Sequence, residues 1–401
     1  MTPAPAHPRL TPGLMALLTA TCFTTAGTVH FQTPMLPEFA REFDASTAAV
    51  GWVATCSFGG FLAGTLLLAP LGDRFDKRRL IIVQLGCLIA AVLAMAAAPT
   101  LPVLVAAALL VGVFASISQH ILPFIAEFAA PGERGRAIGT VMSGLFLGIL
   151  FGRVGGGFAT EYLGWRWTYV LSAALMAALA PALVARLPDV PAKTRLAYAA
   201  LLHSLLRLVR SRADLRRAST IQFLLGICYG GFWATLAPML AAVHGVGPAV
   251  AGLFGIPGAA GVLVARPAGR WMDRVGARPV VTTGICLVMA GYVTFGFGVL
   301  TIVALVAGAI LQDCGLRSAM VANQALVTTA DPEARSRSNT IFAIHVWGGN
   351  ATGAFVASTA WTHAGWLGVC ASGVAASLVA LAVYLSRSAA RSLSSTGRDA
   401  Q

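Results

Sequence analysis

Twelve stretches of this chain are each long enough and apolar enough to cross a bilayer as a helix, which leaves almost nothing from which to build a water-soluble domain. A hydrocarbon core about 30 Å thick needs roughly 20 mostly apolar residues. Such runs fall at 12–33, 47–69, 80–98, 102–126, 138–160, 167–186, 219–241, 249–268, 279–299, 301–325, 340–360 and 364–385. Helices are expected because hydrocarbon offers the backbone no other hydrogen-bond partner, and the runs are too long and too little alternating for barrel strands. Only 11% of the 401 residues are charged, and mean hydropathy is +0.78. An ordinary soluble domain is about 25% charged. The longest polar piece is 187–218. The first run has only Arg9 before it and continues through Gln32 and Pro34 with no small-residue cleavage pattern, so it reads as a span, not a cleaved signal.

The formal charge is +13, with 28 basic residues against 15 acidic and an isoelectric point near 10.2. In a soluble protein that balance would suggest nucleic acid. Here, with the N-terminus placed inside, all but four basic residues fall in the inner loops and tails. Arg41 and Arg166 lie outside, and Arg153 and Arg317 lie within spans. The split predicts both termini in the cytoplasm and accounts for the charge without nucleic acid. Cys22, Cys56, Cys87, Cys228, Cys286, Cys314 and Cys370 all fall within spans with no short-spaced pair, which supports neither a disulfide framework nor a zinc site.

The chain also resembles itself at an offset near 200 residues. Asp73 and Arg74 after the second span recur as Asp273 and Arg274 after the eighth, Gly51 recurs as Gly252, and Gly164-Trp165 recurs as Gly365-Trp366. Six spans per copy is an even number, so the copies would be parallel repeats. The expected divisions are a six-helix bundle over 1–186, a basic cytoplasmic linker at 187–218, a second bundle over 219–386 and a tail at 387–401. Leu201, Leu202, Leu205, Leu206 and Val209 sit among basic residues in the linker, as in a helix lying on an anionic leaflet, though a solvated linker would read similarly.

A parallel six-plus-six duplication resembles the major facilitator superfamily, and two local motifs resemble it as well. The loop signature G-x-x-x-D-R/K-x-G-x-R/K-R/K is similar to Asp73, Arg74, Arg78 and Arg79, with Ala69 and Asp76 at the glycine positions. Its second copy has Gly269, Asp273, Arg274, Gly276 and Arg278, and ends in Pro279. Gly139, Gly148, Gly152, Gly156 and Gly157 resemble the antiporter motif of span five, with Arg153 where that motif has proline. The stretches after spans four and ten resemble bacterial sugar- or drug-export members. The resemblance implies an all-α membrane protein of twelve helices in two parallel repeats, multi-pass in the cytoplasmic membrane, with a cavity lined by spans one, four, seven and ten. It implies a cytoplasmic gate at Asp73, Arg74, Arg78, Asp273, Arg274 and Arg278, and Glu127, near the cytoplasmic end of span four, could join it by holding Arg78. The blander reading of these basic residues is topology alone.

Ionisable and amide side chains within spans are the candidates for a substrate or proton pathway, because each costs several kcal/mol to bury. Asp313 and Arg317 are one turn apart on span ten, either as a proton-exchanging pair or as simple neutralisation. Asn323 lies on the same span. Span four offers Gln119 and His120, span one His30 and Gln32, span five Arg153, span seven Gln222, Tyr229 and Trp233, and span eleven His345. Thr21, Thr25 and Thr28 form a polar stripe on span one, where they could also bond their own helix. Glu38 lies beyond the outer end of span one, so a proton carrier would have to be Asp313, Glu127 or a histidine.

Phosphate loops, metal-ligand pairs and catalytic constellations are not apparent, so neither an enzyme nor ATP-driven transport is expected, and no cofactor. The expected activity is proton-coupled export of a small molecule by alternating access, for which a monomer suffices. Symport, facilitated uptake, a receptor without flux and a membrane-embedded enzyme are the alternatives.

Overall fold

The computed structural model describes residues 10–129, 133–189, 198–329 and 335–396. The linker residues Lys193 and Arg195 and the loop acids Asp331 and Glu333 lie outside these. Every regular element among the described residues is helical. Eleven helical stretches are long and apolar enough to cross a membrane. They are Pro12–Glu42, Thr47–Leu67, Lys77–Ala96, Leu101–Ile125, Arg134–Leu163, Trp165–Arg186, Ala213–His244, Pro248–Val275, Ala277–Val299, Ile302–Val327 and Arg337–Ser386. The last is 50 residues long and is broken at Ala364 and Gly365, where the backbone leaves helical geometry, so it supplies spans eleven and twelve.

The ends of the spans follow from local chemistry. Thr11 caps span one by accepting from the Leu14 N–H at 3.2 Å, with Pro12 opening the helix. The apolar run ends near residue 33, but the helix continues to Glu42. Pro34 has no N–H for the His30 carbonyl one turn back. The Thr33 hydroxyl donates to that carbonyl instead, at 2.7 Å, which lets the helix pass the proline. Span three is capped by Asp76, whose carboxylate accepts from the Arg78 N–H at 2.7 Å. Asp76 occupies a position where the loop signature has glycine, so the acid replaces backbone freedom with a cap. Asp76→Ala is expected to cost about 1 kcal/mol, read as a lower unfolding temperature of the purified protein, and Asp76→Asn to retain most of it.

Spans five and six are joined at Gly164, where φ is +84°, and spans eleven and twelve at Gly365, where φ is +57°. A residue with a Cβ is strained there. Each glycine is followed by a buried tryptophan. Trp165 donates to Glu42, and Trp366 donates to the Phe295 carbonyl at 2.6 Å. Arg166 donates to the Ala96 and Ala98 carbonyls at 2.8 and 3.0 Å and to Glu42, tying the ends of spans one, three and six together.

The chain divides into two compact units. One comprises Met1–Ala45, Cys56–Leu202 and Val246–Gly255; the other comprises Ser46–Thr55, His203–Gly245 and Ile256–Gln401. Their boundaries cut through spans two and eight, where the expected bundles end in loops. Packing gives the reason. In the second unit, Gly51 abuts the Ser358 hydroxyl, and Trp52 lies 5.1 Å from Phe355 between ring centroids. In the first unit, Gly157 abuts the Pro248 carbonyl and Gly252 the Arg153 carbonyl, while Glu161 accepts from the Ala249 N–H at 2.9 Å.

Within the first unit, Gly144, Gly148 and Gly152 of span five press against Thr19, Phe23 and Gly27 of span one. Within the second, Gly349 and Gly353 press against Phe223 and Ile227, and Gly231 meets Ala357. Each contact recurs about 205 residues further along the chain. The same holds for Gly60 against the Leu109 carbonyl and Gly261 against the Asp313 carbonyl. Small residues in this register allow backbones to approach closely in lipid, where apolar burial does not drive helix association.

In the linker, helix Tyr198–Ser211 is described. On it Leu205 is buried and Val209 half-buried, while Leu206 and Arg207 are exposed. Arg216 donates to the Val209 and Arg210 carbonyls, satisfying the open end of that helix.

Candidate transport site

The second unit brings four of the expected residues together. Asp313 and Arg317 stand one turn apart on Ile302–Val327, with Arg317 Nε donating to Asp313 Oδ1 at 3.3 Å. The Arg317 guanidinium carbon lies 6.0 Å from the Tyr229 ring centroid, and Tyr229 lies 6.1 Å from Trp233. Gly258 makes the cluster possible. A methyl at that position would stand 2.7 Å from the Trp233 ring and 3.4 Å from Asp313 Oδ2, so span eight can lie across spans seven and ten only without a side chain there. Gly261 packs in the same way against Arg317.

The two charges are not equally sealed. The Asp313 side chain is 2% exposed and that of Arg317 19%, so solvent or a ligand meets the guanidinium first. At 3.3 Å this contact is longer than the roughly 2.7–2.9 Å of a strong charge-assisted bond. A pair held this way can exchange partners, and an aromatic wall beside it suits a ligand with a flat or cationic part. Gln312, next to Asp313, has a buried amide oxygen with no partner among the described residues.

Gln222 and Asn323 are buried, and the Gln222 Oε1 and Asn323 Nδ2 atoms have no partner among the described residues. His345 Nδ1 bonds its own helix at the Ile341 carbonyl, 2.8 Å away, and His30 does the same at Ala26, 2.9 Å away. The threonine stripe of span one behaves likewise, with Thr21, Thr25 and Thr28 donating to carbonyls of their own helix. Gln32 is buried with its Nε2 lacking a partner among the described residues, and Gln119 is half-buried. Arg153 is 3% exposed beside Gly255.

At the other end of the first unit, the expected partner of Glu127 needs correction. Glu127 accepts from Lys77 at 2.6 Å, not from Arg78. Lys77 opens the helix of span three and turns inward, with its side chain 5% exposed. Arg78, one residue on, is rotated by about 100° about that helix and reaches Asp189 at 2.6 Å and the Val184 carbonyl at 2.7 Å. His120 is buried against Gly72, the residue before Asp73, and its Nε2 has no partner among the described residues. Gln84 is buried with both amide atoms in the same condition. Neither Lys77 nor Gln84 stood out in the sequence, although a glutamine in the middle of an apolar span is a signal that could have been used.

The side chain of Asp73 lies outside the described ones. Arg74 is exposed, 5.7 Å from the Phe75 ring centroid. Asp273 and Arg274 are exposed and have no ion pair among the described residues. Arg278, expected at the gate, lines an open groove beside Tyr384 instead.

Long apolar helices and bulky side chains such as Leu263, Leu300 and Val303 turned outward define a multi-pass membrane protein, with an ion pair within one span. The sequence pattern of the Major Facilitator Superfamily matches residues 15–266 and 218–400. The chain belongs to that superfamily of membrane transporters. It is 33% identical over 376 residues to the "Uncharacterized transporter YgaY" of Escherichia coli O157:H7, covering 94% of this chain and 95% of that protein. It is 26% identical to the "Multidrug resistance protein B homolog" of Mycobacterium tuberculosis (strain ATCC 25618 / H37Rv), covering 81% and 71%. The crystal structure of a bacterial homologue of the human lysosomal transporter Spinster superposes with a TM-score of 0.78 at 16% identity, covering 94% and 96%.

Proposed function

We propose that this protein is a secondary transporter that exports a small organic molecule across the cytoplasmic membrane by alternating access, in exchange for protons. The six-span halves are parallel copies, and both termini face the cytoplasm. Asp313 carries the proton, and Arg317 responds to the change in its charge. Tyr229 and Trp233 form the adjoining wall for the substrate.

The observation that carries this reading is an asymmetry between recurring contacts. Gly60 packs on Leu109 as Gly261 packs on Asp313. One turn further, Val113 stands where Arg317 stands in the second copy. Spans two and four thus make the same backbone approach with apolar side chains. The ion pair is not needed for that packing, and its burial cost has to be offset by a role in the cycle. Export is favoured by the likeness to a multidrug resistance protein homologue. On the inner face, Lys77–Glu127 latches the loop after span two to span four in one state of the cycle and releases it in another.

The test uses purified protein in liposomes that contain a pH-sensitive dye, with compounds that raise its unfolding temperature. Addition of such a compound should move protons in the opposite direction to the compound. Co-directional movement would select symport. Ligand binding with neither flux would replace the carrier by a receptor.

A further inference from the structure

We infer that the groove between the start of span nine and the end of span twelve binds the phosphodiester headgroup of an anionic phospholipid of the inner leaflet. The groove has a volume of about 490 Å³ and is lined by Arg278, Pro279, Thr282, Thr283, Tyr384 and Leu385. That is the size of a small-molecule site, and none of the six carries a carboxylate. Arg278 is exposed at its rim, and its guanidinium has no hydrogen bond or ion pair among the described residues. Thr283 is exposed beside it, with its hydroxyl engaged by no described neighbour.

The floor is built to stay in place and is itself positively biased. Tyr384 is buried and donates to the Arg278 carbonyl at 3.3 Å, while Thr282 donates to the same carbonyl at 3.1 Å. Behind Tyr384, Arg217 donates to its carbonyl and holds its guanidinium carbon 4.5 Å from the ring centroid. A second cation therefore stands behind the aromatic floor. The combination offers a phosphate the Arg278 guanidinium and the Thr283 hydroxyl, with no carboxylate in the groove lining.

The choice of a lipid over a free phosphate rests on position and on the lip. The groove lies at the start of span nine and the end of span twelve, at the same end of these spans as Arg270 and Arg274 of span eight, which in the orientation proposed above is where headgroups of the inner leaflet sit. Pro279 and Leu385 form an exposed apolar edge, and Leu385 is 51% exposed. An acyl chain could lie along that edge, whereas inorganic phosphate gains nothing from it. Basic pockets between helices on this side of a membrane are suited to anionic headgroups.

The experiment compares full-length protein purified in detergent, by native mass spectrometry and thermal unfolding, with phosphatidylglycerol, phosphatidylcholine or inorganic phosphate added. Wild-type protein should retain phosphatidylglycerol and be stabilised by it over phosphatidylcholine, with millimolar phosphate giving no shift. Arg278→Gln should lower phosphatidylglycerol retention roughly fivefold, the effect of one basic group at a charged surface. Arg270→Gln, which removes an equal charge from the same face but outside the groove, should leave retention near the wild-type level. Thr283→Leu fills the groove without changing charge and should also reduce retention, which keeps the test decisive if Arg278→Gln folds poorly. Equal losses in the Arg270 and Arg278 variants would overturn the site in favour of diffuse surface charge. Stabilisation by inorganic phosphate alone would overturn the lipid assignment.

Discussion

Replacing Asp313 and Arg317 together by leucine and valine should leave a folded, monodisperse protein that no longer couples transport to a proton gradient. The replacement copies Leu109 and Val113, which the first half of the chain uses at the recurring contact. If the pair served only to neutralise two buried charges, removing both would be neutral or stabilising, and transport would survive. Asp313→Asn alone should do more harm. It leaves the Arg317 guanidinium at mid-span without its carboxylate, and breaking such a pair typically costs about 3–5 kcal/mol. The ordering to look for is therefore lower stability in Asp313→Asn than in the double variant, with proton-driven flux lost in both. Thermal unfolding reads the first quantity and dye-loaded liposomes the second. Proton-driven flux in the double variant equal to that of the wild type would remove Asp313 from the mechanism and leave Glu127 or a histidine to carry the proton.

This pair was legible in the sequence for a simple reason. Four residues on a helix is one turn, so proximity within one span needs no tertiary information. The same logic exposed the spans themselves, because about twenty apolar residues carry their own length requirement. What surrounds the pair was less legible. Tyr229 and Trp233 were visible as aromatic residues on span seven, but their meeting with Asp313 depends on Gly258 of span eight, which looked like one glycine among many. Glu127 shows the limit most clearly. Lys77 and Arg78 are adjacent in sequence and equally basic, and only the helix start set by Asp76 decides which turns inward.

The unit boundaries failed to show for a related reason. Composition marks where apolar runs stop. Tight packing at Gly51 and Gly252 instead joins the first part of spans two and eight to partners far along the chain. Close backbone approach leaves a trace in sequence only as a glycine, and a glycine says nothing about which neighbour it admits.

The glycines of span five turn that ambiguity into the second large effect. Gly139, Gly148 and Gly152 all belong to one sequence pattern, yet they meet very different surroundings. A methyl group at 148 would collide with the Phe23 carbonyl, and one at 152 with the Gly27 carbonyl. At 139 it would meet nothing within 4 Å. Gly148→Ala and Gly152→Ala must therefore push spans one and five apart along a contact that involves rigid backbone, and overpacking of that kind costs about 1–3 kcal/mol. Leucine at either position should prevent recovery of folded protein. Gly139→Ala should do the opposite, adding about 0.5–1 kcal/mol by restricting the unfolded chain within a helix that has room for the methyl. Unfolding temperatures of the three alanine variants in one detergent check the order. A destabilised Gly139→Ala together with an unchanged Gly148→Ala would mean that spans one and five do not meet through these residues. Gly144 extends the argument by one turn, because its nearest neighbours are the Thr19 methyl and carbonyl. The methyl can rotate away where a carbonyl cannot, so Gly144→Ala should fall between the Gly139 and Gly148 variants.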